Sequence, residues 1–246
     1  MKIRNGISIL LLLVIILGCE KSSDSAMDSG TGKGGSLARF TIVGNHLYIA
    51  DYAWIEVFDI QNPSNPVRKN RVNVGFPVET IFPYKEQLFI GSTDGMFIYS
   101  IKDPALPVKQ GEARHVRSCD PVVANDKFSY VTLRGDSRCG PAQDGLYIYD
   151  ISNIASPVQK SLLPLSRPMG LGLKDSVVFV CRESEGLTLV NVKDPAAPKT
   201  MYTIKEASYK DVIPYDDLLI CYVSTGLLLY DIRNLSAIKQ VGKIDN

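Results

Sequence analysis

Glu79 and Asp120 are the first side chains to weigh as chemistry, because they stand 41 residues apart and that interval recurs along the chain. Two carboxylates held at matching places of adjacent repeats can flank a glycosidic bond. One then protonates the leaving oxygen while the other attacks or activates water. The same residues also have a structural reading, in which Asp120 orders the turn before Pro121 and Glu79 is solvated or pairs with Arg117. A loaded active site draws polar groups from more than two repeats; Asp211, on the first strand of the fifth copy, is another candidate acid. The chain carries no Gly-rich phosphate loop, Gly-x-Ser-x-Gly elbow or His-Glu-x-x-His run. His46 and His115 are its only histidines and neither has zinc-ligand spacing. No catalytic residue, cofactor or metal is therefore assigned; a glycan hydrolase using Glu79 and Asp120 stands as the alternative to a binding role.

The cysteines divide by position. Cys181 and Cys221 follow short apolar runs at the place where other copies carry Ala50, Gly91 and Thr132, so they read as small buried thiols. Cys119 and Cys139 are 20 residues apart around an insertion spanning 134–144. In an exported compartment they are expected to form a disulfide that staples it, the alternative being two free thiols.

These residues are positioned by a repeat. Short β-branched and aromatic runs end at Asp59, Ser100, Asp150, Asn191 and Asp231, with spacings of 41, 50, 41 and 40. Each end is followed by an Asx-type turn and, in most copies, prolines such as Pro63, Pro66, Pro104 and Pro107, which block further ladder pairing. Four strands fit each period, taken in the second copy as Val78 to Pro83, Leu88 to Gly91, Met96 to Ile101 and Val108 to Ala113. Four-stranded units at this interval predict propeller blades. The expected fold is all-β, a five-bladed β-propeller over 37–246, its ring closed so that few strand edges are exposed.

An apolar third strand followed by Asp-Ile and a Pro-rich turn resembles the LVIVD repeat of bacterial surface and lipoprotein β-propellers. The run from Cys119 to Val123, Tyr130 to Arg134 and then Cys139-Gly140 is similar to a segment of lipoproteins in that family. The fifth copy departs most, with Leu235 and Ile238 in place of two prolines. The resemblance implies a fold and brings no common activity with it. WD-type repeats fit worse, since Trp54 is the only tryptophan.

In such a blade the second-to-third-strand loops and the connections between blades share one end, called the top. This places Asp51, Tyr52, Trp54, Arg134, Arg182 and Glu183 on top loops, with Phe76, Arg117, Arg167 and Tyr209 arriving from the connections and Glu79 and Asp120 at the rim. Aromatic and Arg side chains are favoured binding anchors.

At the N-terminus, Lys2 and Arg4 precede an apolar run from Ile7 to Leu17, which reads as a signal peptide over 1–18, shorter than a membrane span. The local sequence Ile16-Leu17-Gly18-Cys19 resembles the lipobox of bacterial lipoproteins, implying acylation of Cys19 with palmitate-type chains and anchoring in a membrane. Residues 19–36 are Ser-, Gly- and Asp-rich and read as a flexible tether. Glu20 after the cysteine favours the outer membrane. The formal charge of +1 falls to −1 without Lys2 and Arg4, which gives no basic footprint for nucleic acid. The expected protein is an outer-membrane-tethered monomer, a non-enzymatic scaffold for an envelope protein, peptide or glycan.

Overall fold

The structure, a computed structural model, describes residues 34–115, 117, 121–135 and 140–246. It contains five four-stranded antiparallel sheets in sequence order. Blade 1 comprises β1 (Phe40–Val43), β2 (His46–Asp51), β3 (Trp54–Asp59) and β4 (Val67–Asn73). Blade 2 comprises β5 (Val78–Tyr84), β6 (Gln87–Ser92), β7 (Gly95–Ser100) and β8 (Val108–Arg114). Blade 3 has β9 (Val122–Ala124), β10 (Phe128–Leu133), β11 (Gly145–Asp150) and β12 (Val158–Pro164). Blade 4 has β13 (Leu171–Lys174), β14 (Val177–Cys181), β15 (Leu187–Asn191) and β16 (Lys199–Ile204). Blade 5 has β17 (Tyr209–Tyr215), β18 (Leu218–Val223), β19 (Gly226–Asp231) and β20 (Lys239–Asp245). The all-β, five-bladed propeller read from the repeat is the observed fold, with strand limits moved by one or two residues.

The anchor residues do what their chemistry suggests. Asp59, Asp150, Asn191 and Asp231 each accept the backbone N–H two residues on through Oδ1 at 2.9–3.0 Å, and Ser100 does so through Oγ at 3.3 Å. A second Asx turn follows at Asn62, Asp103, Asp194 and Asn234. These turns end the third strand before the fourth begins. In every blade a bulge separates third and fourth strands at the same place, after Val57, Ile98, Ile148, Leu189 and Leu229. A bulge bends the strand and re-aims the next side chain. Here it turns the outermost strand toward the following blade.

That aim produces a repeated latch. Asn70 Nδ2 donates to Ala105 O (3.1 Å), Ser161 Oγ to Pro195 O (2.7 Å) and Tyr202 Oη to Leu235 O (3.1 Å), each from one blade into the turn before the fourth strand of the next. At Gly111 the corresponding turn lies so close that an added Cβ would stand 1.7 Å from Ile154 O. Apolar clusters seal the same four joints, blade 1 to 2, 2 to 3, 3 to 4 and 4 to 5. Among the described residues no such cluster joins blade 5 to blade 1. The expected closure of the ring is therefore not made by packing of the kind that seals the other joints.

Two further expectations are corrected. Residues 34–36 were assigned to the tether, yet Gly35 and Ser36 are buried along the propeller axis. Ser36 Oγ donates to Asp211 Oδ1 (3.0 Å) and accepts from Leu171 N (2.7 Å), while Leu37 N donates to Asp211 Oδ2 (3.2 Å) and Ala38 O accepts from Ile81 N (2.8 Å). The chain thus runs along the axis before entering β1. Second, Cys221 does not share a position with Cys181. The hairpin register pairs Tyr215 with Leu218 as Tyr84 pairs with Gln87, so Cys221 matches Ile90 and Tyr222 matches Gly91. The Leu218-Leu219 doublet offers two equivalent starts in sequence; the turn chooses one. Both thiols are free and buried, facing each other across the joint of blades 4 and 5, and burial pushes both thiol pKa values up.

Candidate functional site

The top loops are shaped by backbone that ordinary side chains avoid. Of the six described non-glycine residues with positive φ, Lys85, Asp175 and Asp216 sit in bottom hairpin turns, whereas Tyr52 (50°), Arg167 (54°) and Glu183 (49°) lie on top. Such conformations persist where surrounding contacts over-determine them and concentrate at functional sites. Glu183 is fixed by a two-way bridge with Tyr209, N to O at 3.0 and 3.1 Å.

Around Glu183 the structure gathers three of the predicted arginines. Arg134 Nη1 donates to Glu183 Oε1 (3.0 Å) and Arg167 Nε to Oε2 (2.9 Å), with a second bond from Arg167 Nη2. Arg182 points instead at neutral oxygens, Ser166 O (3.0 Å), Ser166 Oγ (2.6 Å) and Thr188 Oγ1 (3.3 Å). Burial would raise the Glu183 pKa, but the two guanidiniums outweigh it and hold the carboxyl below its ordinary value. Two guanidiniums thus share the Glu183 carboxylate, with a third beside them, on loops of blades 3 and 4. Asp144, not singled out in the sequence, holds the patch together: its Oδ1 accepts from Gly135 N (2.9 Å) and its Oδ2 from Arg167 N (2.7 Å). Its only sequence signal was its place at the end of the insertion.

A second top-face group lies on blade 1. Arg71 stacks over the Trp54 ring at 4.5 Å and pairs with Asp51 at 3.3 Å and with Glu56 at 2.7 Å. Tyr52 is 69% exposed, and its carbonyl accepts from Val78 N (2.7 Å). Arg71 was missed because it sits on the outermost strand, where only the β3–β4 register brings it beside Trp54.

Other predicted members fall elsewhere. Phe76 is buried and stacked on Phe97 at 3.6 Å, so it belongs to the joint of blades 1 and 2; the connection dips inward where a surface loop was expected. Tyr209 is fully buried, its hydroxyl 2.6 Å from that of Tyr230, and burial raises its pKa to about 12. Because of the fifth-blade register, Lys210 is the bulged residue equivalent to Glu79. Glu79 itself is half-buried in the bulge between Val78 and Thr80. Arg117 is exposed. Asp120, Cys119, Cys139 and Cys19 lie outside the described residues, so neither the carboxylate pair, the disulfide nor the lipidation site has geometry here. Asp211 is taken up in capping the axial segment; burial raises its pKa against the lowering effect of those hydrogen bonds. Below it, a cavity of about 360 Å³ is lined by Gly34, Phe82, Tyr84, Val123, Leu173 and Pro214. No group of three or more potential metal ligands occurs among the described residues.

The LVIVD repeat family model matches residues 34–74 and 140–162. Over those two stretches the chain is similar to the LVIVD repeat. The matched stretches span all of blade 1 and the third strand and most of the fourth strand of blade 3. No curated protein matches the chain in sequence. Among solved structures it resembles a periplasmic gluconolactonase of Pseudomonas aeruginosa (TM-score 0.63, 13% identity, 82% of this chain, 68% of that one). It also resembles the computationally designed protein Ika8 (0.62, 10%, 84% and 61%) and BamB of Moraxella catarrhalis (0.54, 11%, 82% and 58%). At these identities the likeness is one of fold. The chain spans about three-fifths to two-thirds of the length of these structures.

Proposed function

We propose that the protein is a non-enzymatic propeller scaffold, lipid-tethered at the outer membrane through Cys19, whose top face over blades 3 and 4 binds an anionic group on an envelope protein, peptide or glycan. The carrying observation is the Arg134–Glu183–Arg167 cluster with Arg182 beside it, three arginines gathered around the Glu183 carboxylate among the described residues and fixed by strained backbone and by Asp144. Guanidinium forks suit carboxylate and sulfate or phosphate oxygens, and pre-ordered loops lower the entropic cost of binding. Gly34 lies toward the bottom of the axis, with Tyr84, Asn125 and Asp175, at the end opposite this patch.

The test is retention of envelope-extract components on the immobilised protein against the Arg134→Glu/Arg167→Glu variant. Loss of the retained species in the variant, and weakening with salt, is expected. Equal retention by both, or glycan turnover abolished by Glu79→Gln, would overturn the scaffold reading.

A further inference from the structure

The four joints between blades are built alike, and the two ends of the series present the halves of a fifth. On the second strand of blades 1 to 4, the face toward the next blade carries Tyr48, Phe89, Tyr130 and Phe179, all buried. On blade 5 that face carries Ile220 and Tyr222, and Tyr222 is 46% exposed, with Ile244 beside it 55% exposed. The opposite face is buried on blades 2 to 5, as at Leu88, Ile90, Val178 and Leu219, whereas on blade 1 Phe40 is 62% exposed and Leu47 and Ile49 only half-buried.

The latch is empty at the same place. Gly242 of β20 occupies the position of Asn70, Gly111, Ser161 and Tyr202, but the three atoms nearest an added Cβ all belong to Leu229 of its own blade. The blade 1 turn that would fill it is exposed from Asn62 to Pro66, while the matching Pro107 is buried and Pro157, Pro198 and Ile238 are half-covered. Contiguous exposed apolar surface of this kind marks an interaction site.

We propose that a second copy of this chain completes the joint head to tail, blade 5 of one copy receiving blade 1 of another, with the Pro63 turn seated at Gly242. The occupant follows from the repeat: the surface that fits a blade 5 face is the surface every other such face already holds, and blade 1 offers it. The interface is heterologous, so each copy keeps one face of each kind. This departs from the monomer expected from sequence and does not depend on the proposed ligand.

The test is analytical ultracentrifugation of the full chain in density-matched detergent, with Phe40→Glu and Tyr222→Glu variants whose folding is checked by circular dichroism. Wild type should self-associate with concentration. Each variant alone should lose association at least tenfold, and an equal mixture should recover a one-to-one dimer, because each retains the face that the other needs. A Ser64→Cys/Gly242→Cys chain should cross-link between copies. Wild type that stays monomeric, a mixture that does not recover, or a cross-link formed only within one chain would each overturn the proposal.

Discussion

Replacing Gly111 and Gly242 by alanine separates a sealed joint from an open one. The two glycines occupy the same position beside the bulge on β8 and β20, neither has left-handed backbone, and both changes add one methyl. At Gly111 that methyl would stand 1.7 Å from Ile154 O, 2.8 Å from Ile154 C and 3.2 Å from Ala155 Cα, all backbone of blade 3. An ordinary carbon–oxygen contact is about 3.3 Å, so the blades must part by roughly 1.5 Å, forfeiting much of their dispersion contact. Overpacking a rigid interior costs about 1–3 kcal/mol, and backbone on both sides places this case at the upper end, about 3 kcal/mol. At Gly242 the nearest atom is a Leu229 side-chain methyl at 3.1 Å, which can turn aside. The alanine there gains about 0.4–1 kcal/mol from the stiffer unfolded chain. Thermal unfolding followed by circular dichroism, at concentrations that keep chains apart, should show Gly111→Ala lowered by about 6–12 °C and Gly242→Ala unchanged or slightly raised. Equal losses in the two variants would refute the open seam, since they would mean that Gly242 too faces a neighbouring turn.

Three more outcomes follow from the molecule. The Glu183 carboxyl should titrate by NMR below its ordinary 4.5: its folded pKa is lowered, so the network's contribution is complete above that value and lost as pH falls through the folded pKa. A midpoint at or above 4.5 would contradict the Arg134 and Arg167 pairing. Cys119 and Cys139 should resist alkylation in folded, oxidised protein; Arg117 and Gly140, close to them in sequence, already touch, an added Cβ on Gly140 standing 2.3 Å from Arg117 O. Closing that loop should stabilise the fold by about 3 kcal/mol, and two reactive thiols would disprove the bond. Cys19→Ser should abolish partition into the detergent phase, and unchanged partition would rule out lipidation there.

The sequence by itself determined the blades. Apolar runs, Asx anchors and prolines at a fixed interval are local signals, and a strand that must stop at Asp59 or Asp231 stops there whatever surrounds it. It also brought Arg134, Arg167, Arg182 and Glu183 to one end of the fold, because loop order around a meander follows from connectivity. Pairings across blades were decided only in three dimensions. Arg71 reaches Trp54 through register, Asp144 bridges two loops through backbone N–H groups, and Asp211 is taken by Ser36 and Leu37, 175 and 174 residues away. Phe76 and Tyr209 turned inward because burying an aromatic ring outweighs the tendency of a connection to stay at the surface. The seam is the clearest case: five repeats are countable from residue types, but whether the fifth meets the first depends on the rotation from blade to blade. That rotation is set by side-chain volumes packed between sheets, and no single repeat encodes it.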